Sequence, residues 1–283
     1  MSRKVIICSD STSDLSVELL EAYGVQILPL KVNLGGNTFT DGVDIAPDAI
    51  YAYYEAHGKL PKTAAPNMAD FYDFFEKHTA DGAEVVFFTI SKTMSSTYNN
   101  ARLAAEEFDG VHVVDTRNLS TGGGLLVVTA GEMAKDGKSA KEIAEACREM
   151  TGRVDASFII DNLEFLHKGG RCSAVAAFGA NLLQLKPCIA VHEGKMMVGK
   201  KYRGKFDMNV LKYIADRLGD GSNVEDFCIF VTHAGLDRDF LESCVAKVKE
   251  IIPTANVHIT RAGCTISSHC GRSTIGVLFV RKA

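Results

Sequence analysis

Three adjacent hydroxyl residues, Ser95, Ser96 and Thr97, stand where a strand-forming run, Val85 to Ile90, gives way to a helical pattern, Tyr98 to Phe108. A junction of this kind offers backbone N–H groups and side-chain O–H donors to an anion. No nucleotide-phosphate loop lies beside it, so a carboxylate or a small phosphate is the fitting guest. The same residues also suit plain helix N-capping. Other stretches must decide between the two.

Several neighbouring motifs exclude chemistry. Cys8-Ser9-Asp10-Ser11-Thr12-Ser13-Asp14 invites an aspartyl-phosphatase reading, but Thr12 stands where that reaction wants a second aspartate. Asp10 to Asp14 therefore read as loop and cap residues. Gly131 and Gly137-Lys138-Ser139 are spaced by five residues where a P-loop needs four. Ser139 with Glu142 instead makes a capping box, so the chain shows no ATP site of its own. No GxSxG elbow presents a serine nucleophile. Cys264, His269 and Cys270 lack a fourth ligand at zinc spacing. His233 ends a strand-like run, whereas His269 lies among hydroxyls and glycine in Ser267-Ser268-His269-Cys270-Gly271 and is the stronger site candidate. Phe165 to Arg171 is a glycine-punctuated turn delivering an arginine, and Lys200-Lys201-Tyr202-Arg203-Gly204-Lys205 is a local basic patch. Each alone suits a solvated face; together they suit a cationic rim beside a pocket.

The elements that must position these residues follow from the patterning. A chain of 283 residues exceeds usual single-domain size, and a boundary near residue 155 divides it into 1–155 and 156–283. The first part alternates strand-like runs (Lys4–Ser9, Val25–Val32, Val85–Ile90, Val111–Asp115) with helical ones (Leu15–Tyr23, Pro47–His57, Ala69–His78, Ser95–Phe108, Gly124–Lys135, Ala140–Thr151). Asp14 is expected to cap the first helix and Pro47 to open the second. The alternation predicts an α/β fold with a mainly parallel sheet flanked by helices, ligands binding beyond the carboxyl ends of its strands. Ser9–Asp14, Ser91–Thr97 and Asp115–Gly124 should converge there. The second part reads as α+β. Its strands fall at Phe158–Ile160, Cys188–Val191, Lys195–Val198, Phe227–Thr232, Val257–Thr260 and Thr274–Val280. Its helices fall at Ala174–Leu183, Met208–Leu218 and Phe240–Ile251, and Glu193-Gly194 is a tight antiparallel turn.

Composition sets the class. The chain is 46% hydrophobic and 23% charged, the texture of a globular protein with a sizeable core. A net charge of -4 gives no global attraction to nucleic acid or an anionic membrane. Eight cysteines without a CxxC pair read as buried thiols in a reducing compartment. The first apolar run is too short for a signal peptide, and none approaches the roughly 20 residues of a membrane-spanning helix. A cytoplasmic location is expected.

Taken in order, five stretches resemble the DegV family of fatty-acid-binding proteins: Asp10-Ser11-Thr12-Ser13-Asp14-Leu15, Lys62-Thr63-Ala64-Ala65-Pro66, Ile90 through Ser95-Ser96-Thr97-Tyr98, Phe165 through Arg171, and Gly263 through His269-Cys270-Gly271. The resemblance runs from about residue 4 to the end. It implies two α/β domains with an acyl-chain tunnel between them and no cofactor. It also implies a carrier role rather than an enzymatic one, as in the fatty-acid-binding subunit of bacterial fatty acid kinase. There a separate ATP-binding subunit phosphorylates the bound carboxylate. By the same resemblance a long-chain, palmitate-like acid is the ligand. Thr63, Ser95, Ser96 and His269 hold its carboxylate, and Arg171 and Arg203 serve the head group or a partner surface. The implied partners are the kinase subunit and, transiently, a membrane surface, with no nucleic acid. The chain departs from the family pattern at Ala64-Ala65, at Ser96 in place of glycine, and at Arg272-Ser273 after Gly271; these change the surroundings of the head group while Thr63, Ser95 and His269 are kept. The alternative is an enzyme subunit related to dihydroxyacetone kinase, with His269 holding a small carbonyl substrate.

Overall fold

The computed structural model describes residues 3–173, 175 and 185–283. Strands β1 (Val5–Asp10), β2 (Gln26–Leu28), β6 (Glu84–Thr89) and β7 (Val111–Asp115) form a parallel sheet in the order β2-β1-β6-β7. Its central strand is apolar on both sides, as a sheet covered on both faces requires. Val85 and Phe87 pack against helices α3 (Met68–Thr79) and α4 (Thr97–Ala105), through Phe71, Phe75, Ala101 and Ala104. Val86 and Phe88 face the other way, onto α5 (Thr121–Lys135) and α6 (Ala140–Met150).

A second sheet has six strands: β8 (Val154–Ile160), β9 (Lys186–His192), β10 (Lys195–Tyr202), β11 (Ile229–His233), β12 (Val257–Arg261) and β13 (Thr274–Val280), in the order β10-β9-β8-β13-β11-β12. All its pairings are antiparallel except β11 with β12, which a helix connects. Its outer face carries helices α8 (Phe206–Leu218) and α9 (Arg238–Ile251), packed through Tyr213, Ile214, Leu241 and Val248. The inner face shares one core with the parallel sheet: Ala156, Phe230 and Leu278 join Ile7, Phe88 and Leu125 to Val128. Helix α5 fills the gap between the sheets and is buried nearly all round, consistent with its apolar circumference. Its glycines allow that fit: a Cβ on Gly122 would come within 2.9 Å of the Ala156 Cβ, and one on Gly124 within 2.9 Å of Ser13 O.

A third, three-stranded antiparallel sheet, β4-β3-β5, consists of β3 (Lys31–Leu34), β4 (Asn37–Thr40) and β5 (Lys62–Ala64). The single strand expected over Val25–Val32 is in fact β2 and β3, in different sheets. Pro29 stands between them and cannot donate to a continuing ladder. Helix α2 (Pro47–His57) opens at Pro47 as expected. Asp14 does not cap α1 (Val17–Tyr23); the Ser16 hydroxyl does, accepting from Leu19 N at 3.4 Å. Asp14 instead takes a left-handed conformation and turns its carboxylate inward to accept from Ser120 Oγ. The glycine-punctuated stretch before Arg171 contains a short helix, α7 (Glu164–Gly169), closed by left-handed Gly170. The motif around His269 is also a helix, α10 (Cys264–Cys270). The helix expected over Ala174 to Leu183 lies almost wholly outside the described residues.

Candidate functional site

The loops after β1, β6 and β7 do converge. Ile90 N donates to Asp10 Oδ2 at 2.8 Å, and Ser91 N to Asn118 O at 2.8 Å. Asp10 also accepts from Thr12 N at 2.9 Å, the loop role its position suggests. The β9–β10 hairpin reaches this edge from the second sheet. Glu193 and Gly194 both have positive φ, 48° and 81°, the two-residue turn that matches strand twist. Its tip accepts from Ser91 Oγ at Gly194 O, 2.8 Å away, and from the Thr93 hydroxyl. A Cβ on Gly194 would lie 2.6 Å from Ser91 Oγ, so only glycine closes this contact.

Between these loops, the inner face of the six-stranded sheet and α10 lies a cavity of about 720 Å³. Thr232, Gly276 and Phe158 stand side by side across three strands as part of its lining. Leu30, Ile90, Met94, Leu166 and Ile266 supply apolar walls. Most inner hydroxyls are bonded within the protein, whereas Thr265 Oγ1, also in the lining, is buried without a partner. Thr232 Oγ1 meets Thr121 Oγ1 at 2.6 Å and Thr260 Oγ1 at 2.8 Å. Thr274 Oγ1 donates to Cys270 O at 3.0 Å, Ser157 Oγ pairs with Tyr213 OH at 2.8 Å, and Ser120 Oγ donates to Asp14. With their polar atoms committed, these residues turn mainly carbon towards the cavity.

One region of the lining is different. Ser95, Ser96 and exposed Lys92 and Asn99 come from the β6–α4 loop and the first turn of α4, Thr63 from β5, Arg171 from the end of α7, and His269 from α10. Ser96 is the N-cap of α4, yet its side chain makes no capping bond. Ser95 takes that task, its Oγ accepting from Thr97 N at 3.3 Å and lying 2.8 Å from Thr97 Oγ1. Capping and anion binding are thus compatible at Ser95. If Thr97 donates within the pair, the Ser95 proton is left for a ligand.

His269 Nε2 lies 3.0 Å from Thr63 Oγ1. Its Nδ1 is buried without a partner, against Gly169, where a Cβ would stand 2.6 Å away. We assign the proton to Nε2, because an unpaired lone pair at Nδ1 costs less than a buried unpaired N–H. Nε2–H then donates to Thr63 Oγ1, and the Thr63 hydroxyl proton is left to point elsewhere. Burial, helped by the Arg171 guanidinium, pushes the His269 pKa down to about 4, so the ring is neutral near pH 7. His233 also lines the cavity, but its Nδ1 accepts from Leu236 N at 3.0 Å, so it acts as a turn residue. Burial lowers its pKa to about 4 as well.

The structure therefore gathers Thr63, Ser95, Ser96, Arg171 and His269 around one cavity. Arg203 is not among the lining residues and stands exposed after β10. Sequence patterning missed three contributors. Gly169 makes room for the imidazole. Asp14 accepts from Gly263 N at 2.9 Å, and Asp41 from Cys264 N at 2.8 Å and Thr265 N at 3.0 Å, all at the start of α10. The only local signal at Asp41 is the turn pair Asp41-Gly42, which says nothing of a partner more than 220 residues away.

Among the described residues no group of three His, Cys, Asp or Glu side chains is placed to hold a metal ion, and no helix is long and apolar enough to cross a membrane. All eight cysteines are buried. Cys270, at the cavity wall, has its thiol pushed up to about 12 by burial and stays protonated.

Comparison with known proteins gives consistent relatives. Residues 4–282 match the model of a family described as uncharacterised protein, DegV family. A DegV domain-containing protein of Caldanaerobacter subterraneus subsp. tengcongensis is 29% identical over 282 residues, covering 99% of each chain. Among solved structures, one described as fatty acid binding of a DegV family protein from Thermus thermophilus superposes with a TM-score of 0.89. It is 29% identical, over 99% of this chain and 100% of that one. A stearic-acid-binding protein from Eubacterium ventriosum superposes with a TM-score of 0.86 at 28% identity, over 100% of this chain and 99% of the other.

Proposed function

The chain belongs to the DegV family, and we propose that it binds one long-chain fatty acid, palmitate-like in size, and presents the carboxylate for chemistry by a partner. The acyl chain occupies the cavity between 1–155 and 156–283. Thr63, Ser95 and Ser96 donate to the carboxylate, with His269 orienting Thr63 and Arg171 adding positive charge. The observation that carries this reading is the cavity's asymmetry. The Thr232, Thr274, Ser157 and Ser120 hydroxyls are spent within the protein, while the hydroxyl protons of Thr63, Ser95 and Ser96 and the cations Lys92 and Arg171 can turn to a ligand. An amphiphile with one anionic end fits that division. The fatty acids bound by the Thermus thermophilus and Eubacterium ventriosum proteins support it.

Magnitudes agree. Roughly 15 methylenes at about 0.8 kcal/mol each bring a gross ~12 kcal/mol before entropy losses. One hydrogen bond to the carboxylate adds only about 1.5–3 kcal/mol. Affinity comes from the chain and orientation from the donors. The reactive partner in this reading is a separate ATP-binding fatty acid kinase subunit, met in the cytoplasm, with transient contact at a membrane surface for loading. The basic patch around Arg203 serves those encounters. A small-carbonyl site on His269 would need an accessible imidazole nitrogen, but Nε2 is turned to Thr63 and Nδ1 is buried against Gly169. Calorimetry and native mass spectrometry of delipidated protein with palmitate and with dihydroxyacetone test the proposal. A one-to-one palmitate complex is expected. Triose binding without palmitate binding would overturn it.

A further inference from the structure

We propose that Asp41 is a positioning residue for the head-group site: it fixes the start of helix α10 and thereby sets where His269 meets Thr63. The inference rests on the fatty-acid reading for its affinity readout, and on the burial of the His269 ring beside Gly169 and Thr63 for its spectroscopic one.

Helix α10 is seven residues long and its N-cap is Gly263, which has no side chain with which to cap it. Its first N–H groups would be orphans without help. Both Asp41 oxygens supply it, Oδ1 to Cys264 N at 2.8 Å and Oδ2 to Thr265 N at 3.0 Å. Hydrogen bonds to an ionised acceptor are the strong kind, and a carboxylate at a helix N-terminus also complements the macrodipole. Asp41 is in turn held, since Ser11 Oγ donates to Oδ2 at 3.0 Å while accepting from Leu30 N at 3.1 Å. Glycine at 263 is part of the device: a Cβ there would stand 3.1 Å from Asp14 Oδ1 and 3.4 Å from Asp41 Oδ1.

The other end of the same short helix carries His269, bonded to Thr63. Asp41 directly follows β4, and Thr63 lies on β5; both strands pair with β3. The small sheet therefore grips α10 at two points, its start through Asp41 and its end through Thr63. With only two turns between them, a shift at the first point carries to the second. Loosening Asp41 should let α10 slide, lengthen the contact between His269 and Thr63, and misdirect the hydroxyl aimed at the ligand.

Asp41→Asn keeps one acceptor but sets an NH2 group against a backbone N–H. Gly263→Ala disturbs the same contact from the helix side. Each is expected to weaken palmitate binding about 10- to 100-fold in the native-like variant, as one lost charge-assisted bond would. In a His269→Ala background, Asp41→Asn should cost less than about threefold more, because groups acting through one contact are not additive. The second readout is the NMR titration of His269 in ligand-free protein, which should move up from its low midpoint towards that of an ordinary histidine in both variants. Val248→Ala, a core truncation on the buried face of α9, should destabilise the fold and leave that midpoint in place. Equal losses in the two backgrounds, or an unmoved His269 midpoint in both Asp41→Asn and Gly263→Ala, would overturn the proposal. If the parent protein binds no palmitate, the carrier reading fails by itself and the titration alone decides the role of Asp41.

Discussion

Lowering the pH from 7 to 5 should destabilise the protein through His269, and the size of the effect follows from the burial of its ring. Burial lowers the folded-state pKa from 6.5 to about 4. The unfolded chain then binds more protons than the folded one between those values, so stability is fully present above about 6.5 and is lost as pH falls towards 4. Integrating the linkage relation with these two values gives a loss of about 2 kcal/mol from this one group between pH 7 and pH 5. Other groups titrate in the same range. His233 acts in the same direction, its pKa likewise pushed down to about 4. Asp10 acts in the opposite one, its pKa raised to about 6 by burial, so its contribution is greatest at low pH and is lost as pH rises. The comparison must therefore be between wild type and His269→Gln, which keeps a donor for Thr63 and cannot titrate. Urea unfolding of both at pH 7 and pH 5 should show the wild type losing about 2 kcal/mol more than the variant. Identical pH dependence in the two proteins would refute the account of a buried, neutral imidazole. Saturating palmitate should shrink the difference, because a nearby carboxylate favours the imidazolium.

Three further outcomes are expected. Ser95→Ala should weaken palmitate binding about 10- to 100-fold by calorimetry, through one lost bond to an anion; unchanged affinity would make Ser95 a cap only. Gly169→Ala is diagnostic by sign. Helix propensity alone favours alanine by about 0.5–1 kcal/mol, whereas a Cβ 2.6 Å from His269 Nδ1 should lower both the melting temperature and palmitate affinity. Arg203→Glu should leave palmitate affinity within about twofold, because the residue lies off the cavity lining, and should slow acyl-phosphate formation with a cognate kinase most at low salt. Loss of palmitate from that variant would instead put Arg203 at the head group.

Local patterning went far with this chain. The apolar run Val85 to Ile90, followed by hydroxyls and a helical period, determined a strand, a loop at its carboxyl end and a helix, because each signal acts within a few residues. The alternation of such units was enough for a parallel sheet and for the edge where its loops meet. Glu193-Gly194 specified its hairpin through backbone conformation alone, and Ser139 with Glu142 specified a helix start. Resemblance in five ordered stretches added Thr63, which no periodicity marks, and gave a role to His269, which its flanking hydroxyls and glycine had singled out. The tertiary structure decided the rest. That Pro29 separates two sheets depends on where each half finds a partner. That the Thr232 and Ser157 hydroxyls are spent inside the wall depends on Thr121, Thr260 and Tyr213. Asp14 resembled a helix cap and Asp41 a turn residue, yet both hold a helix that begins more than 220 residues later. A carboxylate's pairing with N–H groups is directional and short-ranged, so it exists only once folding has brought the two segments together. Whether a histidine is neutral, and which of its nitrogens carries the proton, likewise follows from the packing of Gly169 and Thr63 around it.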